Sequence, residues 1–242
     1  MKYNRFFQFL ATLQLIALIS CKKHDTPPTP PPTCLISLFT DVAQDNGTPH
    51  PPAKFTYDQQ GRLIRIDDGD NIKTINYTPE GCTVTNAAAG IFAGITVVTN
   101  NKDGLALNVH STTDPQGILW TNTSYQYNGQ ELAKSSFTNF AMSDPVVTTY
   151  RWSAGNLISS TTQSITQTYE YYTDKLRQQG DYLYFQQFPQ GYELFRNKNL
   201  VRSGQGLNFI YEFGSDGKIT AVKATPTSGG NDIVFKYDYN CN

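Results

Sequence analysis

The stretch Phe55-Thr56-Tyr57-Asp58-Gln59-Gln60-Gly61-Arg62-Leu63-Ile64 restricts the fold of this chain more than any other feature, because it recurs. An alternating segment ends on an aromatic residue, a polar turn with Asp and Gly follows, and an apolar residue opens the next alternating segment. Weaker copies run Tyr77 to Val84, Val98 to Leu105, Tyr127 to Leu132, Trp152 to Leu157, Tyr171 to Leu176, Phe195 to Leu200 and Phe213 to Ile219, and Tyr237-Asp238 starts a last one. The lead residues lie 18 to 29 positions apart, which suits two strands and two turns. In such a unit the aromatic pairs across the hairpin with the apolar residue that opens the next strand. Gly, Asn and Asp supply the positive φ that tight turns need. Asp68-Gly69 and Asn128-Gly129 are further hairpin signals. Leu207, Phe209, Tyr211 and Phe213 alternate with mostly polar residues, as do Ile233, Phe235, Tyr237 and Tyr239, so one face is buried and one wet. Asp181-Tyr182-Leu183-Tyr184-Phe185 is apolar on both faces and reads as a strand covered on two sides. No ten-residue amphipathic helix emerges. The expected fold is all-β, an antiparallel meander of about 14–18 short strands, forming either a rolled open sheet or a large, partly closed barrel.

Composition narrows the function classes. Aromatic residues make up 13% of the chain, too many for disorder over most of its length. The formal net charge is −1, and it becomes about −3 if a leader carrying Lys2 and Arg5 is removed. Nucleic acid, which needs a basic stripe, is therefore not an expected partner.

The chain opens with Lys2 and Arg5, continues as an apolar run from Phe6 to Ile19, and reaches Leu18-Ile19-Ser20-Cys21. A basic start, a short apolar core and a small residue before the cut form a secretory signal peptide. The cysteine after the cut resembles the lipobox of bacterial lipoproteins, which implies that Cys21 is diacylated, with palmitate-type chains as its membrane anchor. Residues 22–33 hold five prolines and form an extended spacer of roughly 35–40 Å. The expected division is 1–20 signal peptide, 21–33 lipidated cysteine and tether, and 34–242 hairpin-repeat domain. Cys34, Cys82 and Cys241 remain for an oxidising compartment. Cys34 opens the first strand-like segment, Cys241 nearly ends the chain, and domain termini tend to lie close together, so the disulfide Cys34–Cys241 is favoured. Cys82 then reads as a small buried hydrophobe.

Tyr57-Asp58-Gln59-Gln60-Gly61-Arg62-Leu63 resembles the YD repeat of RHS-type and teneurin-like proteins, whose hairpins spiral into a shell. Most other copies lack the Asp and several lack the Gly. Lipobox, proline tether, opening Cys34 and closing Tyr239-Asn240-Cys241 together resemble short lipoproteins of Bacteroidetes with degenerate hairpin repeats. That resemblance implies a porin-like or open-barrel domain and no particular activity.

Motifs that carry chemistry are scarce. His50 and His110 stand in no paired-ligand spacing and read as surface or rim imidazoles. There is no Gly-x-Ser-x-Gly elbow, phosphate loop or dinucleotide fingerprint. Asp67-Asp68-Gly69-Asp70-Asn71 has the oxygens of a calcium loop but lacks its later Glu, and a hairpin turn accounts for it. Neither catalytic residues nor a cofactor or metal are expected. Trp120 and Trp152, with the tyrosines and amides, are candidates for stacking on a glycan, against the plainer reading that they fill the core. The expectation is a non-enzymatic, lipid-anchored envelope protein whose β domain binds or scaffolds, with a glycan or another envelope protein as partner. The alternatives are a glycan-binding lipoprotein of a polysaccharide uptake system and, third, an envelope hydrolase. Lys22-Lys23, where surface-exposed lipoproteins carry acids, tilts the location toward the periplasmic face of the outer membrane.

Overall fold

The computed structural model describes residues 34–43 and 51–241. The signal peptide, Cys21, the tether and His50 lie outside them. Sixteen strands follow one another: β1 Cys34–Ala43, β2 Ala53–Tyr57, β3 Leu63–Asp67, β4 Asn71–Thr78, β5 Gly81–Ala88, β6 Ile91–Asn100, β7 Ala106–Thr112 and β8 Trp120–Asn128. The second half comprises β9 Glu131–Asn139, β10 Val146–Ser153, β11 Asn156–Thr162, β12 Ile165–Leu176, β13 Asn199–Gly204, β14 Leu207–Phe213, β15 Ile219–Pro226 and β16 Ile233–Cys241. Each pairs antiparallel with its neighbours in sequence, and β16 returns to β1, so the sheet is a closed barrel. Of the two expected forms, closure prevails. It leaves no edge strand with unpaired backbone groups. The seam runs from Cys34↔Cys241 to Ala43↔Ile233, and a disulfide joins Cys34 to Cys241 at its end.

Cys34 marks what we call the lower end of the barrel. The turns after β2, β4, β6, β8, β10 and β14 lie there, and those after β3, β5, β7, β9, β11, β13 and β15 lie at the upper end. Side chains alternate between lumen and exterior along each strand. Phe55, Leu63, Ile75, Cys82, Val84 and Val98 point inward and are buried. Lys54, Arg65, Thr74, Asn76, Thr83 and Thr85 alternate with them on the outer wall.

The sequence repeat acquires its meaning at the lower end. Tyr57↔Leu63, Tyr77↔Cys82, Tyr127↔Leu132, Trp152↔Leu157 and Phe213↔Ile219 are cross-strand pairs, as the repeat predicts. The turn between them is held by its polar residue: Asp58 Oδ1 accepts from the amides of Gln60 (3.0 Å) and Arg62 (2.8 Å), and Asn101 Oδ1 does the same for Asp103 and Leu105. A β-bulge beside most of these turns breaks the ladder, which would leave a carbonyl without its partner. An aromatic donor from the adjoining strand takes that carbonyl. Tyr57 donates to Ile36 O (2.6 Å), Tyr77 to Leu63 O (3.0 Å), Tyr127 to Ala106 O (2.8 Å), Trp152 Nε1 to Leu132 O (2.8 Å), Tyr171 to Leu157 O (2.7 Å) and Tyr239 to Ile219 O (2.9 Å). The turns join β2 to β3 and β4 to β5, while the aromatic ties join β1 to β2 and β3 to β4. Turns and ties alternate around most of the lower rim. Where the lead residue is Val98 or Phe213, neither of which carries such a donor, no tie forms.

Residues 177–198 leave the wall after β12 and plug the lumen from the lower end. They hold α1, Tyr182–Gln187, and a 3-10 turn, Phe188–Gln190. This corrects the strand expected at Asp181–Phe185. Every edge in the wall is already paired by closure, so a strand inside the lumen would leave its backbone unsatisfied, whereas a helix bonds its own. A segment apolar on all sides suits a helix surrounded on all sides. Asp181 caps α1, its Oδ1 accepting from the Leu183 amide at 3.0 Å. Two repeat copies are also corrected. β12 runs through Tyr171–Leu176 without turning, and Phe195 belongs to the plug rather than to a strand. The last tie uses Tyr239 where the repeat pointed to Tyr237.

Candidate functional site

The plug fills the lower lumen tightly. Gln187 Oε1 accepts from the amides of Leu194 (2.6 Å) and Phe195 (3.0 Å), and its Nε2 donates to Leu183 O. Glu193 is clasped by Arg177 at 2.9 Å and Arg196 at 2.6 Å. Gly191 turns the chain at φ 78°, where a Cβ would sit 3.0 Å from Ile75 Cδ1, and its carbonyl accepts from the Cys82 thiol at 3.3 Å. Cys82 is buried as expected, and burial pushes its thiol up to about 11, which leaves it unreactive.

Above the plug the lumen opens into a mouth lined by aromatic residues. Phe185 of α1 lies 4.4 Å from Phe39 and 5.0 Å from Tyr237 by ring centroid, and Phe188 lies 5.7 Å from Phe55. A cavity of about 380 Å³ is bounded by Phe39, Phe55, Ile66, Phe185 and Pro189, with Asp68, Lys73, Asn71 and Asn86 as its polar members. A second, of about 280 Å³, shares Phe39, Phe185 and Pro189 and extends along Tyr182, Phe235 and Tyr237. Apolar walls with a few placed polar groups are the usual make-up of a small-molecule site, and the first volume lies within the usual range. Lys73 points into the lumen because Ile75 and Tyr77, on the same face of β4, do so. Its ammonium donates to Pro189 O at 2.8 Å and Gln190 Oε1 at 3.3 Å, and burial lowers its pKa from the ordinary lysine value.

A second titratable group lies deeper. Asp181 is fully buried, and among the described residues its Oδ2 makes no well-formed hydrogen bond, although the Tyr211 hydroxyl and the Val201 amide lie near the carboxyl. Burial pushes its carboxyl up to about 7, partly offset by the Leu183 amide and by Arg177.

The residues singled out from sequence are scattered. Trp152 points inward at the lower end, its indole edge-on to Phe195 of the plug at 6.2 Å. Trp120 begins β8 at the upper end and faces outward, its ring 6.1 Å from that of His110. The structure therefore does not bring Trp120 and Trp152 onto one platform. Asp67–Asn71 forms the hairpin turn between β3 and β4, with Asp68 Oδ1 accepting from the amides of Asp70 and Asn71. Lys73, Phe39 and Phe185 were not anticipated. Parity from Tyr77 along β4 was the available signal for Lys73, whereas the meeting of Phe39 with Phe185 had none.

A wall built for lipid needs an apolar band about 25 Å tall and strands of about 9–11 residues. β1, β6, β8, β9, β12 and β16 reach that length and Val97, Leu107 and Ile210 are exposed outside, but other parts of this wall depart from it. β2 and β3 have five residues each, and Lys54, Arg65, Asp67, Arg151 and Lys223 lie on the outside. No helix among the described residues is long and apolar enough to cross a membrane, which says nothing about strands.

No protein-family model and no curated protein matches the chain. Solved structures do. A porin-like protein from Bacteroides uniformis matches with a TM-score of 0.60 over 85% of this chain and 98% of its own, at 15% identity. A porin-like protein from Bacteroides vulgatus matches with a TM-score of 0.56 over the same shares, at 14% identity. At such identities the likeness is one of fold.

Proposed function

We propose that this chain is a non-enzymatic envelope protein, lipid-anchored through Cys21, whose plugged barrel stands in water and holds a small apolar ligand in its upper mouth. The observation that carries the reading is the mouth cavity of about 380 Å³, on which Phe39, Phe55 and Phe185 converge from β1, β2 and the plug. Across the lumen, β6–β12 turn hydroxyls inward that bond to one another in pairs, such as Thr96 with Ser111 and Thr148 with Thr162. A transport pore needs a continuous water-filled lumen, whereas residues 177–198 fill the lower part of this one. The porin-like neighbours support the barrel and an envelope setting. Cys34 lies at the lower end of the barrel, and the cavity opens at the upper end.

The ligand reading is tested with N-phenyl-1-naphthylamine, a neutral dye that fluoresces in apolar sites. Saturable binding that Phe185→Asp abolishes is expected, and no binding by the wild-type chain would refute it. In planar bilayers the protein should give no channels, and steady conductance steps would replace this reading with that of a pore. Labelled palmitate should enter the wild-type chain and not Cys21→Ala in cells. We place the domain on the periplasmic face of the outer membrane because of Lys22-Lys23, and its release by protease from intact cells would overturn that placement.

Glycan capture is a second reading, favoured by one observation: Trp120 lies outward beside His110 on the wall. Binding on a glycan array that Trp120→Ala removes and Trp152→Phe retains would establish it.

A further inference from the structure

The mouth cavity contains one cation set among aromatic walls, and its hydrogen bonding is incomplete. An ammonium has three protons to donate. Lys73 spends two, on Pro189 O and Gln190 Oε1, and both acceptors are neutral. Among the described residues no carboxylate lies within ion-pair distance of it, although the wall outside pairs Arg65 with Asp67 and Lys223 with Asp232. Asp68 also lines the cavity, but its oxygens accept from Asp70 and Asn71 within their own turn. Asp68 keeps its charge but forms no ion pair with Lys73, so an anion that reaches the ammonium directly in these largely apolar surroundings is favoured. Apart from Asn71 and Asn86 the remaining cavity surface is apolar, with Phe39, Phe55, Ile66, Phe185 and Pro189 prominent, which favours an apolar body over a sugar or a free inorganic anion.

We propose that the ligand of this mouth is an apolar molecule bearing a single carboxylate, whose body lies against Phe39, Phe55 and Phe185 and whose carboxylate accepts the third proton of Lys73. The proposal rests on the ligand-holding reading given above and names the chemical class of what is held.

A fluorescent polyene fatty acid, cis-parinaric acid, and its methyl ester separate the two claims, because they differ only in the charge. Titrated against the purified full chain, the acid should bind about tenfold or more tightly than the ester, as a charge-assisted hydrogen bond in apolar surroundings implies. Lys73→Met should bring the acid down to the affinity of the ester and leave the ester unchanged. Lys73→Arg should keep most of the preference, and it also covers the case in which the methionine variant fails to fold. Equal binding of acid and ester by the wild-type chain, or a preference that survives in Lys73→Met, would overturn the role of Lys73 while leaving the cavity as an apolar site. Binding of neither form would overturn both readings.

Discussion

The two ends of the barrel are built from the same repeat and solve different problems. At the lower end the turns, the aromatic ties, the plug and the Cys34–Cys241 bridge fill most of the lumen, and the ties take up the carbonyls that the bulges release. At the upper end the plug stops below the rim, and aromatic surface faces a cavity. Both ends follow the same period-2 pattern. They differ in where the bulges fall, because a bulge releases a carbonyl and so creates a place for an aromatic donor. The covalent bridge and the ties lie at one end and the open cavity at the other.

This contrast can be broken from the lower end first. Replacing Cys34 and Cys241 by Ser removes a constraint spanning 207 residues and should cost up to about 5 kcal/mol by the chain-entropy account, measured by denaturant unfolding. A cost below about 1 kcal/mol would mean that the β1–β16 seam holds without the bridge.

The plug comes next. In Asp181 the folded-state pKa is raised from 3.8 to about 7, so the fold favours the protonated acid. Its contribution is fully present below about pH 4 and is lost as the pH rises through 7, by up to about 4 kcal/mol. Asp181→Asn keeps an oxygen to accept from Leu183 and carries no charge. Its stability should therefore be flat between pH 4 and 8, and above that of the wild type at pH 8. Parallel pH profiles for the two proteins would remove Asp181 as the source.

The ties follow. Tyr77→Phe or Tyr171→Phe leaves a bulge carbonyl without its donor and should cost about 1–3 kcal/mol each. The mouth should show the reverse balance. Phe185→Asp should abolish binding of the neutral dye while the barrel remains folded by circular dichroism. The smallest effect belongs to the outer wall, where Thr83→Ser should change stability by no more than about 0.5 kcal/mol. If mouth substitutions unfold the protein as readily as tie substitutions, the division of labour between the ends does not hold.

Much of the wall was legible because hairpins are local. The pairs Tyr57↔Leu63 and Trp152↔Leu157 lie within six residues of sequence, and alternation fixes which side faces in. The bridge was legible because its cysteines flank the repeat. The plug was not. Asp181–Phe185 has the same composition as a strand buried on both faces, and only the absence of a free sheet edge inside a closed barrel makes it helical. The mouth was less legible still. Phe39 and Phe185 are far apart in sequence and meet because the sheet closes and the segment after β12 turns inward.

The sequence by itself determined the repeat, its period and the face each strand turns inward, since these follow from interactions a few residues apart, and it marked the two cysteines of the seam by their position at either end of the repeat. Tertiary structure alone decided that the sheet closes, that the space inside is filled from one end, and that Lys73 and the aromatic residues face each other across what is left. Those outcomes depend on packing between segments more than a hundred residues apart, whose relative placement no local pattern encodes.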